Sequence, residues 1–589
     1  MLYPASTSMM PVVASLARFL ENNGFGAVFG NYPYWYLGVP FRYLGGPVVS
    51  FLLAAIHLIL PQFSLFEIYF FLIVVFLIFG GVNLYFLVKT LGQKGFAVIL
   101  AASIFLIGPF LPLFFSFNDG LSLIALSFAP LIFLLYFQIL KNWSGKKALL
   151  ISILIAFVLL INNLILPSLL IGLLSILLAI GDWKDLEEKI KKTILIVILG
   201  WALSTLWYTP SYWLHLLSAP SFAGKGLGSV IILLIRLLSV VIPVFLATLS
   251  IKKFHAKENI LKAFTLFWLF IFGFLTTMRF LSDPDFWQDW ISYSLELQMG
   301  GSILLAMAID RLLQPSKLSL VVRSLFLGGI VLILILPWLL APQKFLGVRK
   351  DITGSVEYKA GRWLSENVKP NERVYLSGTT AFWLNSLFDL PQVRGGADQA
   401  ATHPFWAKAS YEIREGENGQ LAVNWLKALG VSYLAVHPLT SSEYYHDFKY
   451  PEKFEELSNK TEGSQSLKKV FSDMDTIIYM IEGVSLARII NIQNFNKLMP
   501  PKDGANSSGV SAYVSQLGSS VDLEWVSPND IRINGEITGG EGISVAVTWD
   551  PQWKCEVGRG KCQVKKDVLG NILVEPGITG KMEIVLRYD

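Results

Sequence analysis

The chain has 589 residues, of which 53% are hydrophobic and 15% are charged, and its formal net charge at pH 7 is +5. Residues 1–345 hold 22 Lys or Arg against 13 Asp or Glu, whereas residues 346–589 hold 26 against 30. This length and this uneven distribution of charge exclude a single soluble domain. The basic residues of the first part lie in short loops between apolar runs, so they give no support for nucleic-acid binding.

The first part of the chain consists of apolar runs close to the length that a helix needs to cross about 30 Å of hydrocarbon. The runs predict ten spans, at residues 66–90, 95–113, 121–140, 148–164, 166–181, 193–209, 229–250, 263–281, 296–313 and 321–341. The sequence therefore predicts a polytopic α-helical membrane bundle over residues 66–345.

The loops between these spans fall into two sets that differ in basic residues. Sixteen Lys or Arg lie in alternate loops, from Lys89 in the first to Arg323 in the last. The positive-inside rule places these loops in the cytoplasm and residues 346–589 outside it, at the plasma membrane.

Residues 1–65 are predicted to form an outer loop. Residues 1–46 contain neither a signal peptide nor a spanning helix, so either a first transmembrane helix precedes Met1 or the chain inserts with its N-terminus outside. The apolar run Pro47–Leu60 is short for a span and is predicted to be an interfacial or re-entrant helix.

The remaining residues predict two outer domains. Residues 346–482 alternate between helix and strand and predict a small α/β domain, with helices at 356–366 and 421–429 and strands at 373–377 and 433–436. Residues 483–589 predict a β-sandwich from short alternating runs between turns. These runs are SAYVSQL, DIRIN, GISVAVTW, NILVE and KMEIVLRY.

Cys555 and Cys562 are the only two cysteines. They flank a turn-like segment, so a disulfide between facing strands is expected outside the cytosol, and two free thiols are the alternative.

Asp119 lies in the sequence SFNDG, a predicted turn between the second and third spans on the outer side. Two interpretations stay open. Asn118, Asp119 and Gly120 are typical of a turn that caps the next helix. A carboxylate at membrane depth is also a candidate ligand or catalytic group, because such residues are costly there.

A second acidic stretch, LSDPDFWQDWISYSLEL, precedes the ninth span. Asp283 and Asp285 have a spacing that suits one divalent cation bound to a phosphate. If a helix begins near Pro284, then Asp285, Asp289 and Glu296 form one polar stripe that enters the ninth span. Acidic residues at a helix N-terminus also interact favourably with the helix dipole, so a structural role stays open.

Two arginines, Arg42 and Arg279, are predicted to lie on the outer side, where a guanidinium suits a lipid phosphate. Snorkelling to lipid headgroups is the alternative. The sequence has no Walker loop, H-E-x-x-H, G-x-S-x-G or Cys/His cluster, so nucleotide hydrolysis, zinc proteolysis and serine-hydrolase chemistry have no support.

The layout resembles the C-type (GT-C) integral-membrane glycosyltransferases. The resemblance rests on GNYPYWYLGVPFRYLGGPVVSFLLAAIHLIL (30–60), the SFNDG turn, about ten spans and an external mixed domain. It is greatest to a bacterial and archaeal group labelled pyruvoyl-tetrahydropterin-synthase-related membrane proteins, whose external part resembles residues from QVRGGADQA (392–400) to GKMEIVLRYD (580–589). The resemblance covers nearly the whole chain.

This resemblance implies an inverting transfer of a sugar from a polyprenyl-phosphate donor to a glycan, lipid or protein acceptor outside the cytoplasm. The implied catalytic carboxylates are Asp119, Asp285 and Asp289. Arg42 and Arg279 would bind the donor phosphate, and a divalent cation, Mg or Mn, would bind Asp119, Asp283 and Asp285.

The first outer loop departs from this family, which carries a catalytic acid there. Residues 1–20 contain no Asp or Glu, and Ser8 stands where the acid is expected. The acid lies in a segment before Met1, or Glu21 or another residue replaces it, or the protein is inactive. The alternative functions are a non-catalytic scaffold or glycan-binding envelope protein, and a transporter of lipid-linked glycans.

Overall fold

The chain divides into two compact units. The first unit comprises Met1–Met10 and Gly45–Arg349, and the second comprises Pro11–Leu44 and Lys350–Asp589. The computed structural model describes residues 3–4, 9–112, 120–180, 185–218, 238, 242, 260–282, 293–313, 320–340, 348–349, 351–459, 467–558 and 560–589. The predicted outer loop 1–65 is thus divided between the two units.

The N-terminal segment contains helix α1 (Met9–Asn23), which sequence analysis did not predict. The strands here are β1 (Tyr3–Pro4) and the antiparallel pair β2 (Asn31–Tyr32) and β3 (Val39–Pro40). Phe19 of α1 lies 4.8 Å from Tyr32 and 5.5 Å from Phe41 between ring centroids. The indole of Trp35 donates a hydrogen bond to Asn385 over 2.8 Å, and the ring of Tyr36 lies 4.9 Å from that of Trp406, so residues 11–44 form part of the core of the second unit.

The first unit is a bundle of apolar helices. The helices are α2 (Pro47–Ile59), α3 (Leu65–Thr90), α4 (Phe96–Ile107), α5 (Gly120–Ser127), α6 (Ala129–Lys141), α7 (Gly145–Ile161), α8 (Leu166–Ile180), α9 (Leu186–Ser204), α10 (Pro210–Ser218), α11 (Ile260–Ser282), α12 (Ser294–Leu313) and α13 (Leu320–Leu340). The short strand β4 (Val348–Arg349) follows and pairs antiparallel with β1.

Three stretches of helix within the described residues are long and apolar enough to cross a membrane, by length and composition. They are Leu65–Thr90, Gly120–Lys141 and Asn163–Ile180. Shorter apolar helices, among them Pro47–Ile59 and Phe96–Ile107, accompany them. The predicted fold class, a polytopic α-helical membrane protein, is confirmed.

Two predicted spans differ from the helices observed. The second span was predicted to reach residue 113, but α4 ends at Ile107 because Gly108 precedes Pro109, and the residue before a proline is disfavoured in helix. The third span is interrupted at Phe128, just before Pro130, whose ring removes a backbone donor. The seventh predicted span, 229–250, lies outside the described residues apart from two positions.

The helix ends that carry the predicted cytoplasmic loops lie together. The ammonium group of Lys192 on α9 lies 4.8 Å above the ring of Trp143, which follows α6. Lys147 on α7 donates a hydrogen bond to Gln138 on α6 over 2.7 Å. These contacts bring together two of the predicted cytoplasmic loops, the one between α6 and α7 and the one between α8 and α9.

The second unit contains an α/β layer. Its sheet has the order β5-β6-β8-β7, with β5 parallel to β6 and the other pairs antiparallel. The elements are α14 (Val356–Asn367), β5 (Arg373–Tyr375), α15 (Gly378–Leu387), α16 (Trp406–Arg414), α17 (Gly419–Ala428), β6 (Val431–Val436), α18 (Glu452–Ser458), β7 (Leu467–Ser472) and β8 (Ile477–Ile481). The predicted helices and strands of this layer are present.

A β-sandwich follows, with sheets ordered β10-β11-β16-β13 and β14-β15-β12-β9. Its elements are β9 (Ala487–Asn491), α19 (Ile492–Phe495), α20 (Ser507–Ser515), β10 (Asp522–Ser527), β11 (Asp530–Ile537), β12 (Glu541–Thr548), β13 (Trp553–Glu556), β14 (Gln563–Lys566), β15 (Asn571–Glu575) and β16 (Gly580–Tyr588). Buried residues of both sheets, including Ile533, Val545 and Ile584, form its core.

One predicted strand of the sandwich, SAYVSQL, is wrong, because most of it belongs to helix α20. Asn506 caps this helix by accepting a hydrogen bond from the backbone N–H of Gly509 over 2.7 Å. Val510 and Tyr513, three residues apart, are both buried. The cap and this helical spacing outweigh the alternating pattern.

Candidate functional site

Polar side chains connect several helices at one end of the bundle, which we call the polar end. It is formed by residues 105–112, 120–122, 162–168, 209–212 and 293–298. The predicted outer loops lie at or next to these positions, although residues 105–112 and 162–164 fall within the second and fourth predicted spans. The described residues that flank the two acidic segments belong to the polar end. Residues 113–119 and 283–292, which contain the four aspartates, lie outside the described residues.

Gln298 joins the flanks of the two acidic segments. It lies on α12, and its amide group donates a hydrogen bond to the carbonyl oxygen of Phe105 over 2.7 Å. The oxygen of the same amide accepts a hydrogen bond from the backbone N–H of Phe110 over 2.9 Å. A Cβ atom at Gly108 would lie 2.3 Å from Gln298, so a glycine is required at the closest approach. The segment before Asp119 is thus bonded to the helix that follows Asp289.

The other flank of the SFNDG turn packs on α3. A Cβ atom at Gly120 would lie 2.6 Å from Ile73 and 2.7 Å from the hydroxyl of Tyr69. Gly120 therefore permits the start of α5 to approach α3 closely, and α5 also contacts α12. These contacts fix the residue next to Asp119 against the bundle.

Two asparagines between α7 and α8 extend the polar end. Asn162 donates a hydrogen bond to the hydroxyl of Ser122 on α5 over 2.9 Å. Asn163 donates one to the hydroxyl of Tyr212 on α10 over 2.5 Å. Asn162 and Asn163 lie at the end of the fourth predicted span, and they connect the junction of α7 and α8 to α5 and α10.

Glu296 is a buried carboxylate at the start of α12, with 3% of its surface exposed. Ser168 on α8 donates a hydrogen bond to it over 2.6 Å, and the indole of Trp268 on α11 donates one to its backbone oxygen over 2.6 Å. A buried carboxylate needs such donors because burial without them is costly. Glu296 therefore connects α8, α11 and α12 below the acidic segment.

The predicted stripe from Asp285 to Glu296 is not one continuous helix. Helix α12 begins at Ser294, and Tyr293 before it has a φ of 69°. This left-handed conformation is uncommon for a residue other than glycine and interrupts a right-handed helix. A helix running through Tyr293 into α12 is therefore not observed, and Asp285 and Asp289 lie outside the described residues.

The four aspartates predicted to carry the chemistry, Asp119, Asp283, Asp285 and Asp289, all lie outside the described residues, as does Ser8. Arg279 belongs to α11, but its side chain is not described. Within the described part of the chain, no group of three or more His, Cys, Asp or Glu side chains could hold a metal ion. The catalytic, phosphate-binding and metal-binding roles remain predictions.

Arg42 lies in the second unit, on the short 3-10 helix Phe41–Tyr43. Burial raises the pKa of the Asp550 carboxyl above its usual value, and the nearby charge of Arg42 partly offsets this effect. Glu21, the other described candidate in the N-terminal segment, also lies in this unit, on α1. The role of Arg42 in donor binding stays a prediction.

Cys555 of β13 forms a disulfide with Cys562, which precedes β14. The two Cα atoms are 5.7 Å apart, within the usual range for this bond. The bridge therefore closes the turn between two sandwich strands.

Sequence analysis assigned no role to Gln298, Asn162, Asn163 or Ser168. Each is a polar residue within or beside an apolar run, and this position is the sequence feature that could have identified it as a candidate. Their partners are distant in sequence, with 193 residues between Gln298 and Phe105. The pairing could be identified only in the folded chain.

No protein-family model matches the chain, and no curated protein matches it. Several solved structures are similar. The oligosaccharyltransferase of Archaeoglobus fulgidus, tethered with an acceptor peptide, has 16% identity and a TM-score of 0.46 over 74% of this chain and 65% of that chain. The arabinofuranosyltransferase AftD from Mycobacteria has 12% identity and a TM-score of 0.49 over 100% of this chain and 58% of that chain.

ArnT from Cupriavidus metallidurans, bound to undecaprenyl phosphate, has 11% identity and a TM-score of 0.42 over 80% of this chain and 93% of that chain. These structures belong to the C-type glycosyltransferases, the class that the sequence resembles. This chain spans less than two thirds of the length of the oligosaccharyltransferase and of AftD. At these identities and TM-scores, the similarities assign no activity, substrate or residue role to this chain.

Proposed function

We propose that this protein is a membrane glycosyltransferase that moves a sugar from a polyprenyl-phosphate donor to an acceptor outside the cytoplasm. One observation carries the proposal: Gln298 bonds the helix after one acidic segment to the chain just before the other. The described residues that flank both segments then belong to one end of one bundle, which supports a shared role of their carboxylates in acting on a single lipid-linked substrate.

In the proposed reaction, a carboxylate among Asp119, Asp285 and Asp289 accepts the proton of the acceptor hydroxyl as its oxygen attacks the anomeric carbon. The bond between that carbon and the phosphate oxygen breaks, and the phosphate leaves with the bonding electrons. Arg279 stabilises the charge on the leaving phosphate. A single displacement of this kind inverts the anomeric centre.

Arg42 is proposed as a second cation for the donor phosphate. A divalent cation, Mg or Mn, held by Asp119, Asp283 and Asp285 would add electrostatic stabilisation of the same phosphate. Carboxylate oxygens are the ligands that these hard cations prefer, so this donor set is chemically suitable.

The proposed orientation places the polar end and the second unit outside the cytoplasm, with the protein in the plasma membrane. The basic residues support this orientation, because Lys147 and Lys192 share the opposite end of the bundle and positive charge is retained on the cytoplasmic side. The proposed partners are the bilayer, the lipid-linked donor and a glycan, lipid or protein acceptor.

The experiment measures transfer of radiolabelled sugar from polyprenyl-phosphate donors by the purified protein in lipid nanodiscs, with membrane extract as the acceptor source. Asp119→Asn and Asp285→Asn are expected to abolish transfer. Asp185→Asn is the matched control, because Asp185 is exposed just before α9 at the opposite end of the bundle. It should retain transfer, and all three variants should elute as the wild type does on size exclusion.

Each other outcome counts against part of the proposal. Full transfer by both variants would remove Asp119 and Asp285 from the mechanism. Movement of lipid-linked sugar across liposomes without transfer would favour a transporter. Binding of glycan with neither transfer nor movement would favour a scaffold.

A further inference from the structure

A loop in the second unit is held at two points by buried carboxylates. It comprises residues 437–450, follows β6, and is called the clamp loop below. Strands β5 and β6 are parallel, and the clamp loop lies at the edge where both strands end. Ligands of open α/β sheets commonly bind at this edge, because loops from several strands meet there.

The first buried carboxylate is Glu443, with 5% of its surface exposed. It accepts a hydrogen bond from the backbone N–H of Thr380 over 3.0 Å and one from the hydroxyl of Thr379 over 3.2 Å. Gly378, with a φ of 67°, makes room for the clamp loop, since a Cβ atom there would lie 2.4 Å from the Glu443 carboxylate and from the backbone oxygen of Tyr445.

The second buried carboxylate is Asp447, whose side chain is 4% exposed. It accepts hydrogen bonds from Arg394 over 2.7 Å and from the hydroxyl of Ser377 over 2.5 Å, and it also pairs with Arg414. The two arginines lower the pKa of Asp447 despite its burial, so it stays ionised. These bonds fix the end of the clamp loop to α16 and to the start of α15.

Between these two points the clamp loop exposes aromatic rings. Tyr444 and Tyr445 are 37% and 51% exposed, and Tyr411 on α16 is 52% exposed. Glu415 lies four residues after Tyr411, and side chains at this spacing occupy one face of a helical turn. The clamp loop adjoins this end of α16, because the backbone N–H of Lys449 donates a hydrogen bond to the carbonyl oxygen of Arg414 over 3.0 Å and Asp447 pairs with Arg414.

The same surface contains hydrogen-bonding groups of both signs. The guanidinium of Arg414 lies 3.5 Å from the carboxylate of Glu415, and its side chain is 18% exposed. Arg414 already donates from Nε to the backbone oxygen of Ser410 and from Nη1 to Asp447, so its Nη2 group offers donors to a ligand, and Glu415 offers acceptors. Because the charges on this surface are paired, the surface suits a neutral ligand that both donates and accepts hydrogen bonds better than it suits a polyanion.

We infer that the clamp loop, with Tyr411 and Arg414, binds a carbohydrate chain. A sugar ring presents an apolar C–H face, which packs on a tyrosine ring, and hydroxyl edges, which both donate to Glu415 and accept from Arg414. Tyrosine offers a large and rigid contact area with little loss of side-chain entropy. Two buried carboxylates hold an exposed aromatic segment in place, as expected when loop residues serve binding on a rigid scaffold.

The ligand follows from the proposed function on which this inference rests, since a glycosyltransferase that extends a glycan must hold its acceptor. The clamp loop is therefore an acceptor-binding surface of the second unit. Its loss should raise the KM for a glycan acceptor and leave kcat unchanged.

The experiment measures binding of the full-length protein, in detergent, to an array of immobilised neutral hexose and pentose oligosaccharides and of uronic-acid oligosaccharides. Tyr445→Ala and Tyr411→Ala should each weaken binding to the neutral glycans by about tenfold. Tyr445→Phe retains the ring and should bind within about twofold of the wild type. Phe29→Ala is the control, because Phe29 is an exposed aromatic residue on another element of the same unit.

Direct binding separates this inference from the proposed function, because the array requires no transfer. Glycan binding that depends on Tyr445 supports the inference even when no donor is turned over. Absence of glycan binding, or binding that Tyr445→Ala and Tyr411→Ala leave unchanged, would overturn it. Binding of the wild-type protein to uronic-acid glycans alone would also overturn it, in favour of an acidic glycan.

Discussion

The side-chain amide of Gln298 donates a hydrogen bond to the carbonyl oxygen of Phe105 over 2.7 Å, across 193 residues of sequence. The oxygen of the same amide accepts from the backbone N–H of Phe110. Glutamine can do both because it carries a donor and an acceptor on one planar group. It thereby satisfies the backbone on both sides of the Gly108–Pro109 break, where helix α4 ends and its own backbone bonds stop.

Gln298→Ala should destabilise the bundle and reduce sugar transfer. The change leaves the buried backbone oxygen of Phe105 and the partly buried backbone N–H of Phe110 without this partner, at a cost of about 1–3 kcal/mol. Thermal unfolding in nanodiscs should therefore show a lower midpoint. Gln138→Ala is the matched control, since Gln138 bonds to Lys147 at an exposed position of the opposite end. Equal midpoints and equal transfer for both variants would contradict the role of Gln298.

The bundle could be predicted from the sequence because apolar runs near 20 residues have few other folds available to them. The ends of the helices were less predictable. Pro109 and Pro130 end or divide helices inside runs that look continuous in hydropathy. The N-terminal residues 11–44 joined the second unit through packing with residues more than 300 positions away, such as the bond from Arg18 to Asp389.

The candidate site was predictable only in part. The two acidic segments are visible in the sequence, but their connection depends on Gln298, which has no motif. The left-handed Tyr293 ended the expected stripe, and no pattern of residue types predicts a positive φ for a tyrosine. The clamp loop was also missed, because the partners of Glu443 and Asp447 come from other elements.

Gly378→Ala should unfold the α/β layer at a lower temperature than the wild type and displace the clamp loop. The new Cβ atom would adopt an unfavourable φ of 67° and would also collide with Glu443 and with the backbone of Tyr445. Gly483→Ala is the matched control, because Gly483 has a φ of 71° and a Cβ atom added there would have no neighbouring atom within 4 Å. Both variants lose stability from φ, by about 1 kcal/mol. We expect Gly378→Ala to lose a further ~1 kcal/mol or more of unfolding free energy, because of the collision with Glu443 and Tyr445. Equal losses in the two variants would contradict this close contact.

Cys555 and Cys562 should be protected from maleimide reagents in intact cells until a reductant is added. A disulfide is retained outside the cytosol, so this measurement also tests the proposed side of the second unit. Cys555→Ser with Cys562→Ser should lower stability by about 2–3 kcal/mol, because the bridge closes a short loop with a sequence separation of 7. Labelling by a membrane-permeant maleimide without reductant would contradict the bridge, and labelling after reduction that only a permeant maleimide achieves would contradict the orientation.

Stability of the second unit should fall as pH rises from 4.5 to about 8, through Glu443. Burial is the main reason that the pKa of this carboxyl rises from 4.5 to about 8, and the like charge of Glu357 acts in the same direction. The hydrogen bonds from Thr380 and Thr379 and the charge of His446 lower the pKa in part. The folded state therefore binds the proton more tightly than the unfolded state does. The stabilisation that protonated Glu443 contributes to folding is complete below pH 4.5 and is lost as the pH rises past 8. The slope is up to about 1.4 kcal/mol per pH unit. Glu443→Gln stays neutral and keeps the acceptor for Thr380, so the difference in unfolding midpoint between wild type and variant should change across this window. A constant difference from pH 4.5 to 8.5 would contradict the raised pKa.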